Sequence, residues 1–173
     1  MTNKIIAFSG THGTGKSTCA YSLAANYKLS GKSVVVLDEL ARECPLKINK
    51  EADDLTQYWI LSSQIKKEIK LMGRYDYVIC DRAIVDTIAY GITLGVLHSG
   101  LVYSYLPYIL KYYKDIYLLD PYIFNYQKDD GIRDMDKEFR LQVHHNLMVL
   151  YDTYSIPHTL INSQEKLDDS IKV

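Results

Sequence analysis

Residues 10 to 17 read Gly10-Thr11-His12-Gly13-Thr14-Gly15-Lys16-Ser17, and this stretch decides the fold. It matches G-x-x-x-x-G-K-[ST], a pattern whose glycines let the backbone wrap around phosphate groups with its N–H groups pointing inward. The apolar run at residues 5–8 predicts a strand before the loop, and apolar residues at helical spacing predict a helix over 16–29. A strand, a glycine-rich loop and a helix in this order are the context that the pattern requires.

The loop predicts a site for the phosphates of a nucleotide. The ammonium group of Lys16 is expected to reach the β- and γ-phosphates, and the hydroxyl of Ser17 is expected to bind Mg²⁺. The predicted nucleotide-binding residues are Gly10, Thr11, His12, Gly13, Thr14, Gly15, Lys16, Ser17 and Thr18. With the additional glycine Gly13, the loop resembles those of small-molecule kinases more than those of signalling GTPases.

Length and composition limit the classes of protein to consider. The 173 residues predict a single domain over 1–173, large enough for a complete core. The formal net charge of −1 predicts no large electrostatic surface for nucleic acid. We expect a cytoplasmic protein that does not enter a membrane, because no signal peptide precedes the first strand and no apolar run reaches membrane-spanning length. Three widely separated cysteines are typical of reduced thiols.

Strands and helices alternate along the chain. Strands are predicted at 4–9, 33–37, 76–80, 115–119 and 158–161. Single helices are predicted at 16–29, 53–72 and 135–154, more than one helix over 84–114, and a short helix at the end. This order predicts an α/β fold, with a parallel sheet between two layers of helices. Because ligands of such sheets bind beyond the carboxyl ends of the strands, residues that directly follow each strand are the candidates for chemistry.

Charged residues follow the second and third predicted strands. Asp81 ends the apolar run Tyr77-Val78-Ile79-Cys80 and is expected to hold Mg²⁺ beside Ser17, directly or through water. Arg82 comes next and is a candidate for binding the acceptor or the transferring phosphoryl group. A helix cap for Asp81 and a structural salt bridge for Arg82 are the competing interpretations.

Two adjacent carboxylates, Asp38 and Glu39, follow the second strand. A carboxylate within hydrogen-bond distance of an acceptor hydroxyl would position it and accept its proton. We predict Glu39 for this role with Asp38 as its rival, and both are candidate substrate-binding residues. Arg42 lies three positions beyond Glu39 and is expected to pair with it or to meet the substrate.

The helix predicted over 53–72 contains two glutamines on one face. Gln57, Leu61 and Gln64 share that face through the three-and-four spacing of a helix. Because an amide both donates and accepts hydrogen bonds, a glutamine can read the edge of a nucleobase, and Gln64 is our candidate. Solvated glutamines beside a core Trp59 are the alternative.

A polar segment at about 121–134 contains glycine, many charged residues and few apolar ones. Its composition predicts a lid that excludes water from the reacting phosphate and brings Arg133 to the developing charge. Arg140, in the following helix, is expected to join it. An ordinary surface loop is the alternative.

Together these residues resemble the P-loop nucleoside and nucleotide kinases. The similarity is strongest to the AAA-domain group that includes the ribosylnicotinamide kinase domain. It rests on GTHGTGKST, DELARE, ICDRAIVDTIAY and LLDPYIFNYQKDDGIRDMDKEFR. The DR pair followed by AY is also similar to thymidylate and deoxynucleoside kinases. The resemblance implies a five-stranded parallel sheet, ATP with Mg²⁺ and a nucleoside-like or nucleotide-like small-molecule acceptor. It also implies Glu39 and Arg82 on the acceptor side and Arg133 in the lid.

Two other activities remain compatible with the sequence, as does a homodimer. One is a kinase that acts on a polynucleotide or modified base, although Glu68 interrupts the basic run of Lys66, Lys67 and Lys70 that would have to guide such a substrate. The other is an ATPase or nucleotide switch that acts on a protein partner. The chain lacks the Asn-Lys-x-Asp pattern that reads guanine, which disfavours a GTPase switch.

Overall fold

The computed structural model describes residues 4–124, 126 and 137–173. Its elements run in the order β1 (Ile5–Ser9), α1 (Lys16–Leu29), β2 (Val34–Leu37), two short 3-10 helices (Leu40–Glu43 and Asn49–Glu51), α2 (Asp54–Met72), β3 (Tyr77–Asp81), α3 (Ile84–Thr93), α4 (Leu101–Tyr112), β4 (Tyr113–Leu119), α5 (Lys137–Thr153), β5 (Thr159–Ile161) and α6 (Gln164–Ser170). The predicted alternation is confirmed. Two features were not predicted: the 3-10 helices, which are too short to show an apolar period, and the start of β4 at Tyr113 instead of residue 115.

The sheet within the described residues has five parallel strands in the order β2-β3-β1-β4-β5. This confirms the predicted three-layer α/β fold with a five-stranded parallel sheet. Phe8 of β1 pairs with Asp81 of β3, so the loop after β1 begins beside the carboxylate that ends β3. Because β2 pairs with the other side of β3, the residues that follow β2 lie at the same edge of the sheet.

Two apolar cores cover the two faces of the sheet. Ile6 and Phe8 of β1 point to the face covered by α1, whereas Ile5 and Ala7 point to the face covered by α2, α3, α4 and α5. The alternation follows from the two-residue period of a strand. No helix in the described part of the chain is both long and apolar enough to cross a bilayer.

Side chains and backbone conformation set the ends of several helices. The Asp53 carboxylate accepts a hydrogen bond from the Thr56 N–H at 2.8 Å and caps the start of α2. Gly31, just after α1, has a φ of +82°, a left-handed conformation that glycine adopts without steric cost. The Asp53 cap lies at the carboxyl edge of the sheet, where the chain enters α2 after β2, whereas Gly31 lies at the opposite edge, where the chain passes from α1 to β2.

Candidate active site

The loop between β1 and α1 has the backbone shape that its glycines predict. Gly10, Gly13 and Gly15 have φ angles of 138°, 73° and 87°, which other residues rarely adopt. A Cβ on Gly10 would lie 3.1 Å from the Leu119 carbonyl oxygen, so close approach of the backbone also favours glycine there. α1 begins after Gly15 without a side-chain cap, which leaves its first N–H groups available to an anion.

Two buried side chains, Asp86 and Arg140, form hydrogen bonds with the backbone of this loop. The Asp86 carboxylate accepts hydrogen bonds from the Gly10 N–H at 2.8 Å and from the Ala83 N–H at 2.9 Å. Arg140 donates from Nε to the His12 carbonyl at 2.9 Å and from Nη2 to the Phe124 carbonyl at 3.1 Å. Arg140 is 2 % exposed. In this structure Arg140 therefore supports the phosphate loop, whereas the sequence suggested a role in the lid.

Lys16 is buried at the base of the loop, with its Nζ donating to the Thr11 carbonyl at 2.6 Å. Burial lowers the pKa of Lys16 to about 8, and the guanidinium of Arg82 acts in the same direction. The carboxylates of Asp81 and Glu39 partly oppose this shift. Among the described residues no carboxylate forms an ion pair with Lys16, and such a buried ammonium gains a strong electrostatic interaction when phosphate oxygens bind.

Ser17 and Asp81 meet as the sequence predicts. The Ser17 hydroxyl donates a hydrogen bond to Oδ2 of Asp81, and Asp81 is almost completely buried. A hydroxyl and a carboxylate are oxygen ligands of the kind that Mg²⁺ prefers, and Mg²⁺ commonly takes its remaining ligands from water and phosphate. The described residues contain no cluster of three or more His, Cys, Asp or Glu side chains suited to a metal. The pair therefore fits a metal that binds together with a nucleotide.

A cavity of about 520 Å³, hereafter the phosphate cavity, opens over the loop. This volume lies within the range of small-molecule sites. The residues that line it are His12, Gly13, Thr14, Gly15, Lys16, Ser17, Thr18, Cys19, Glu39, Asp81, Arg82, Tyr126 and Leu167. Seven consecutive residues of the predicted phosphate-binding set, His12 to Thr18, thus face one space.

Glu39 and Arg82 form an ion pair next to this cavity. Arg82 Nη2 lies 2.6 Å from Glu39 Oε1, and Arg42 Nε lies 3.5 Å from Glu39 Oε2. Burial alone would raise the pKa of Glu39, but the charges of Arg82 and Lys16 and the hydrogen bond from Arg82 lower it to about 2. Glu39 is therefore ionised across the physiological pH range.

A second pocket lies on the other side of this ion pair. It is lined by His12, Glu39, Ala41, Arg42, Ile48, Asn49, Ala52, Thr56, Gln57, Ile60, Arg82, Thr87 and Tyr90. Gln57 and Thr87 are each 4 % exposed, and no described residue forms a hydrogen bond with their side chains. Three residues, His12, Glu39 and Arg82, line both the phosphate cavity and the second pocket.

Tyr90 contacts two of the three residues that line both the phosphate cavity and the second pocket. Its hydroxyl accepts from the His12 N–H at 3.0 Å, lies 3.1 Å from His12 Nδ1 and lies 3.5 Å from Arg82 Nη2. The Arg82 guanidinium also stacks 4.8 Å from the centre of the Tyr90 ring. His12 of the phosphate loop is thereby held against the residues of the second pocket.

Two predicted substrate-binding residues lie outside both the phosphate cavity and the second pocket. Asp38 lines neither space, and its Oδ1 accepts a hydrogen bond from the Tyr21 hydroxyl at 2.7 Å. Gln64 also lies outside both linings, and its Nε2 donates to Glu68 Oε1 at 3.0 Å and to the Arg82 carbonyl at 2.9 Å. Arg133 lies outside the described residues, as does the predicted lid apart from residues 121–124 and 126.

Four residues at or beneath the site were missed in the sequence, namely Asp86, Tyr90, Thr87 and Glu68. Asp86 is a single charge in an otherwise apolar helical run, and such a charge is buried only when it has partners. Glu68 follows Leu61 and Gln64 at helical spacing, which places it on the buried face of α2. These two signals could have been used. Tyr90 is the tyrosine of the AY pair on which the similarity to thymidylate and deoxynucleoside kinases rests, but that similarity gave it no role in the site.

Comparison with known proteins identifies the family. Residues 5–166 match the model of a family described as "AAA domain". No curated protein matches the chain.

Two solved structures share the fold. One is a NadR protein in complex with NR, with a TM-score of 0.72 and 18 % identity over 96 % of this chain. The chain spans half the length of that NadR protein. The other is a thymidylate kinase from Ehrlichia chaffeensis, with a TM-score of 0.65 and 21 % identity, in which 94 % of each chain is covered. The chain therefore belongs to the AAA domain family and has the fold of the P-loop kinases, which confirms the predicted resemblance.

Proposed function

We propose that the protein transfers the γ-phosphoryl group of ATP, with Mg²⁺, to a hydroxyl or phosphate of a nucleoside, a nucleotide or a related metabolite. The observation that carries this proposal is the wall of His12, Glu39 and Arg82 shared by the phosphate cavity and the second pocket. A phosphate donor on one side and an acceptor on the other would meet across these three residues. Direct transfer between two small molecules requires this proximity.

The loop between β1 and α1 supports the part of the proposal that concerns the phosphate donor. Backbone N–H groups at the start of α1 and the ammonium of Lys16 would bind the phosphate oxygens. Ser17 and Asp81 would hold Mg²⁺, which neutralises charge on the transferring group when bound. Phosphoryl transfer needs little covalent participation from the protein, so positioning and charge stabilisation are what these residues supply.

The second pocket supports the part of the proposal that concerns the acceptor. A carboxylate with a pKa of about 2 is a weak base, so Glu39 would act by orienting the acceptor hydroxyl and by fixing Arg82. Gln57 and Thr87 present buried polar groups without described partners, and these suit the polar edges of a nucleoside or similar molecule. The pocket encloses about 70 Å³, well below the volume typical of ligand sites, so acceptor binding would require it to widen.

The similarity to known structures also supports a nucleoside or nucleotide as the acceptor. The NadR structure was solved in complex with NR, and the other structure is named as a thymidylate kinase. The formal charge of −1 favours a small molecule over a polynucleotide as the acceptor.

An acceptor panel tests the proposal. The purified full chain is incubated with ATP and Mg²⁺, and ADP release is measured with and without each of a set of nucleosides and nucleotides. We expect at least one acceptor to stimulate ADP release and to appear as its phosphorylated product. Lys16→Ala should lower this turnover by about a thousandfold, whereas Lys28→Ala, which removes an exposed lysine at the end of the same helix, should leave it unchanged.

The alternatives give different results in this assay. ADP release that no small molecule stimulates would contradict the kinase proposal and favour an ATPase. Stimulation by a polynucleotide alone would favour the nucleic-acid kinase.

A further inference from the structure

Arg82 holds a backbone conformation that a residue with a side chain rarely adopts. Its φ is +126°, although it is not a glycine. Such a conformation persists only where the surrounding structure enforces it. The strained residue is the one whose guanidinium contacts Glu39, where the phosphate cavity meets the second pocket.

Side-chain hydrogen bonds hold the backbone at and after Arg82. Gln64 Nε2 donates to the Arg82 carbonyl at 2.9 Å. The Ala83 N–H donates to Asp86 Oδ2 at 2.9 Å, and the Ile84 N–H donates to the Tyr113 hydroxyl at 3.3 Å. Two of these three partners, Gln64 and Tyr113, lie on elements distant from Arg82 in the sequence, and both are anchored by one further residue.

That residue is Glu68, which is completely buried. Its carboxylate accepts from Gln64 Nε2 at 3.0 Å, from the Tyr113 hydroxyl at 2.7 Å and from the Tyr108 hydroxyl at 3.0 Å. Both the Arg82 carbonyl and the Glu68 carboxylate are acceptors, so Gln64 must place its NH₂ group between them. Glu68 thus fixes the orientation of the amide that in turn fixes Arg82.

We propose that Glu68 is a positioning residue that acts through Gln64 and Tyr113 to hold the strained backbone of Arg82 and so aim its guanidinium at the reacting phosphate. Burying a carboxylate is costly, and an apolar residue would fill the same core space at less cost. The placement of Arg82 supplies a reason for its presence. The part of the proposal that concerns turnover rests on the proposed function, and the part that concerns the position of Arg82 does not.

Three variants test the proposal in the full chain. Glu68→Leu removes every acceptor from this site, whereas Glu68→Gln can still accept from Gln64 and Tyr113 with its oxygen and donate to the Tyr108 hydroxyl. Gln64→Leu removes the link itself and keeps the test valid if Glu68→Leu does not fold. Asn146→Ala is the control, because it removes a hydrogen bond to Thr93 between α5 and α3, outside this network.

The first measurement does not depend on activity. Hydrogen exchange of the Arg82 Nε–H is followed by nitrogen-15 NMR, since this group is protected by its 2.7 Å hydrogen bond to Glu39. We expect faster exchange in Glu68→Leu and Gln64→Leu, and wild-type behaviour in Glu68→Gln and Asn146→Ala. Unchanged exchange in both leucine variants would overturn the proposal.

The second measurement uses the acceptor-stimulated reaction. We expect Glu68→Leu to lower kcat by on the order of tenfold, with little change in ATP affinity and with recovery in Glu68→Gln. In an Arg82→Ala background, Glu68→Leu should cause no further loss, because the residue through which it acts is gone. An equal loss in both backgrounds would show a general structural role and reject the positioning role. If the wild-type protein shows no acceptor-stimulated turnover at all, the proposed function fails, and the exchange measurement still decides the role of Glu68.

Discussion

Arg82 contacts Glu39 through two nitrogens at one carboxylate oxygen, with Nε and Nη2 at 2.7 and 2.6 Å from Oε1. The pair links the residue after β3 to the segment after β2 and stands between the phosphate cavity and the second pocket. Its main electrostatic consequence is a Glu39 carboxylate that stays ionised, so activity above about pH 4 should not depend on the titration of Glu39.

Replacing the two adjacent carboxylates should separate their roles. We expect Glu39→Gln to slow phosphoryl transfer by about a hundredfold, because it breaks the ion pair that orients Arg82, while ATP binding is retained. Asp38→Asn should cause a smaller loss, since Asp38 contacts Tyr21 and lies outside both cavity linings. Steady-state kinetics of both variants and calorimetry with ATP provide the measurement. Equal losses in the two variants would contradict this assignment.

The low pKa of Lys16 predicts a pH dependence of ATP affinity. Lys16 is charged below about pH 8 and loses its proton above it, so the protein should bind ATP more weakly as the pH rises through this value. If only the charged form binds phosphate, affinity at pH 9 should be about tenfold below that at pH 7. Calorimetry at several pH values, in buffers of different ionisation enthalpy, would also detect proton uptake on binding.

Lys16→Arg is the control for this effect. Arginine remains charged throughout the range, so any binding that this variant retains should vary little between pH 7 and 9. A wild-type affinity that is flat over the same range would contradict the role given to Lys16.

Gln57 should contribute to acceptor selection. Its amide is nearly buried at the second pocket and has no described hydrogen-bond partner in the protein, so a bound acceptor would satisfy it. We expect Gln57→Leu to raise the KM for the best acceptor by about tenfold and to leave the KM for ATP unchanged. A KM change for ATP alone would place Gln57 on the donor side instead.

Glu68 should make stability depend on pH. Burial raises its pKa to about 7, even though Tyr113, Gln64 and Tyr108 donate hydrogen bonds to the carboxylate. Between the ordinary value near 4.5 and about 7, the folded protein holds a proton that the unfolded chain has lost. The contribution of Glu68 to the free energy of unfolding is therefore favourable below this window and falls as the pH rises through it, by on the order of 3 kcal/mol.

Glu68→Gln removes this ionisation without changing the size of the side chain. Urea unfolding of both proteins between pH 5 and 8 should show a difference in unfolding free energy that grows with pH in favour of the variant. The other titratable groups facing Glu68 are Cys80, Tyr108 and Tyr113, and burial raises the pKa of each further above this range. A difference that stays constant with pH would contradict the shifted pKa.

Much of the fold could be predicted from local sequence patterns. The phosphate loop, its flanking strand and helix and the alternation of later elements could be predicted because each depends on residues close together in the chain. The position of Asp81 at the end of an apolar strand could be predicted for the same reason, whereas its role toward Mg²⁺ stays a prediction. The segment at 40–52 could not be predicted, because its two 3-10 helices are shaped by contacts with other elements and carry no periodic signal of their own.

The two glutamines of α2 show where sequence reasoning stops. Helical spacing placed Gln57 and Gln64 on one face, and both are buried there. Seven residues of helix separate them by roughly 10 Å, which is enough for one to reach the second pocket and the other to reach the Arg82 carbonyl. Which glutamine meets which neighbour depends on where α2 lies against β3, and spacing along one helix does not contain that information.

By itself, the sequence determined that this chain forms a parallel α/β sheet with a phosphate-binding loop after its first strand. Only the tertiary structure decided that Glu39 pairs with Arg82 rather than standing free, that Arg140 supports the loop, and that Glu68 lies beneath the site. The physical reason is the strand order: β3 sits between β2 and β1, so residues more than forty positions apart become neighbours. Their charges and pKa values are set by that contact and not by the residues beside them in the chain.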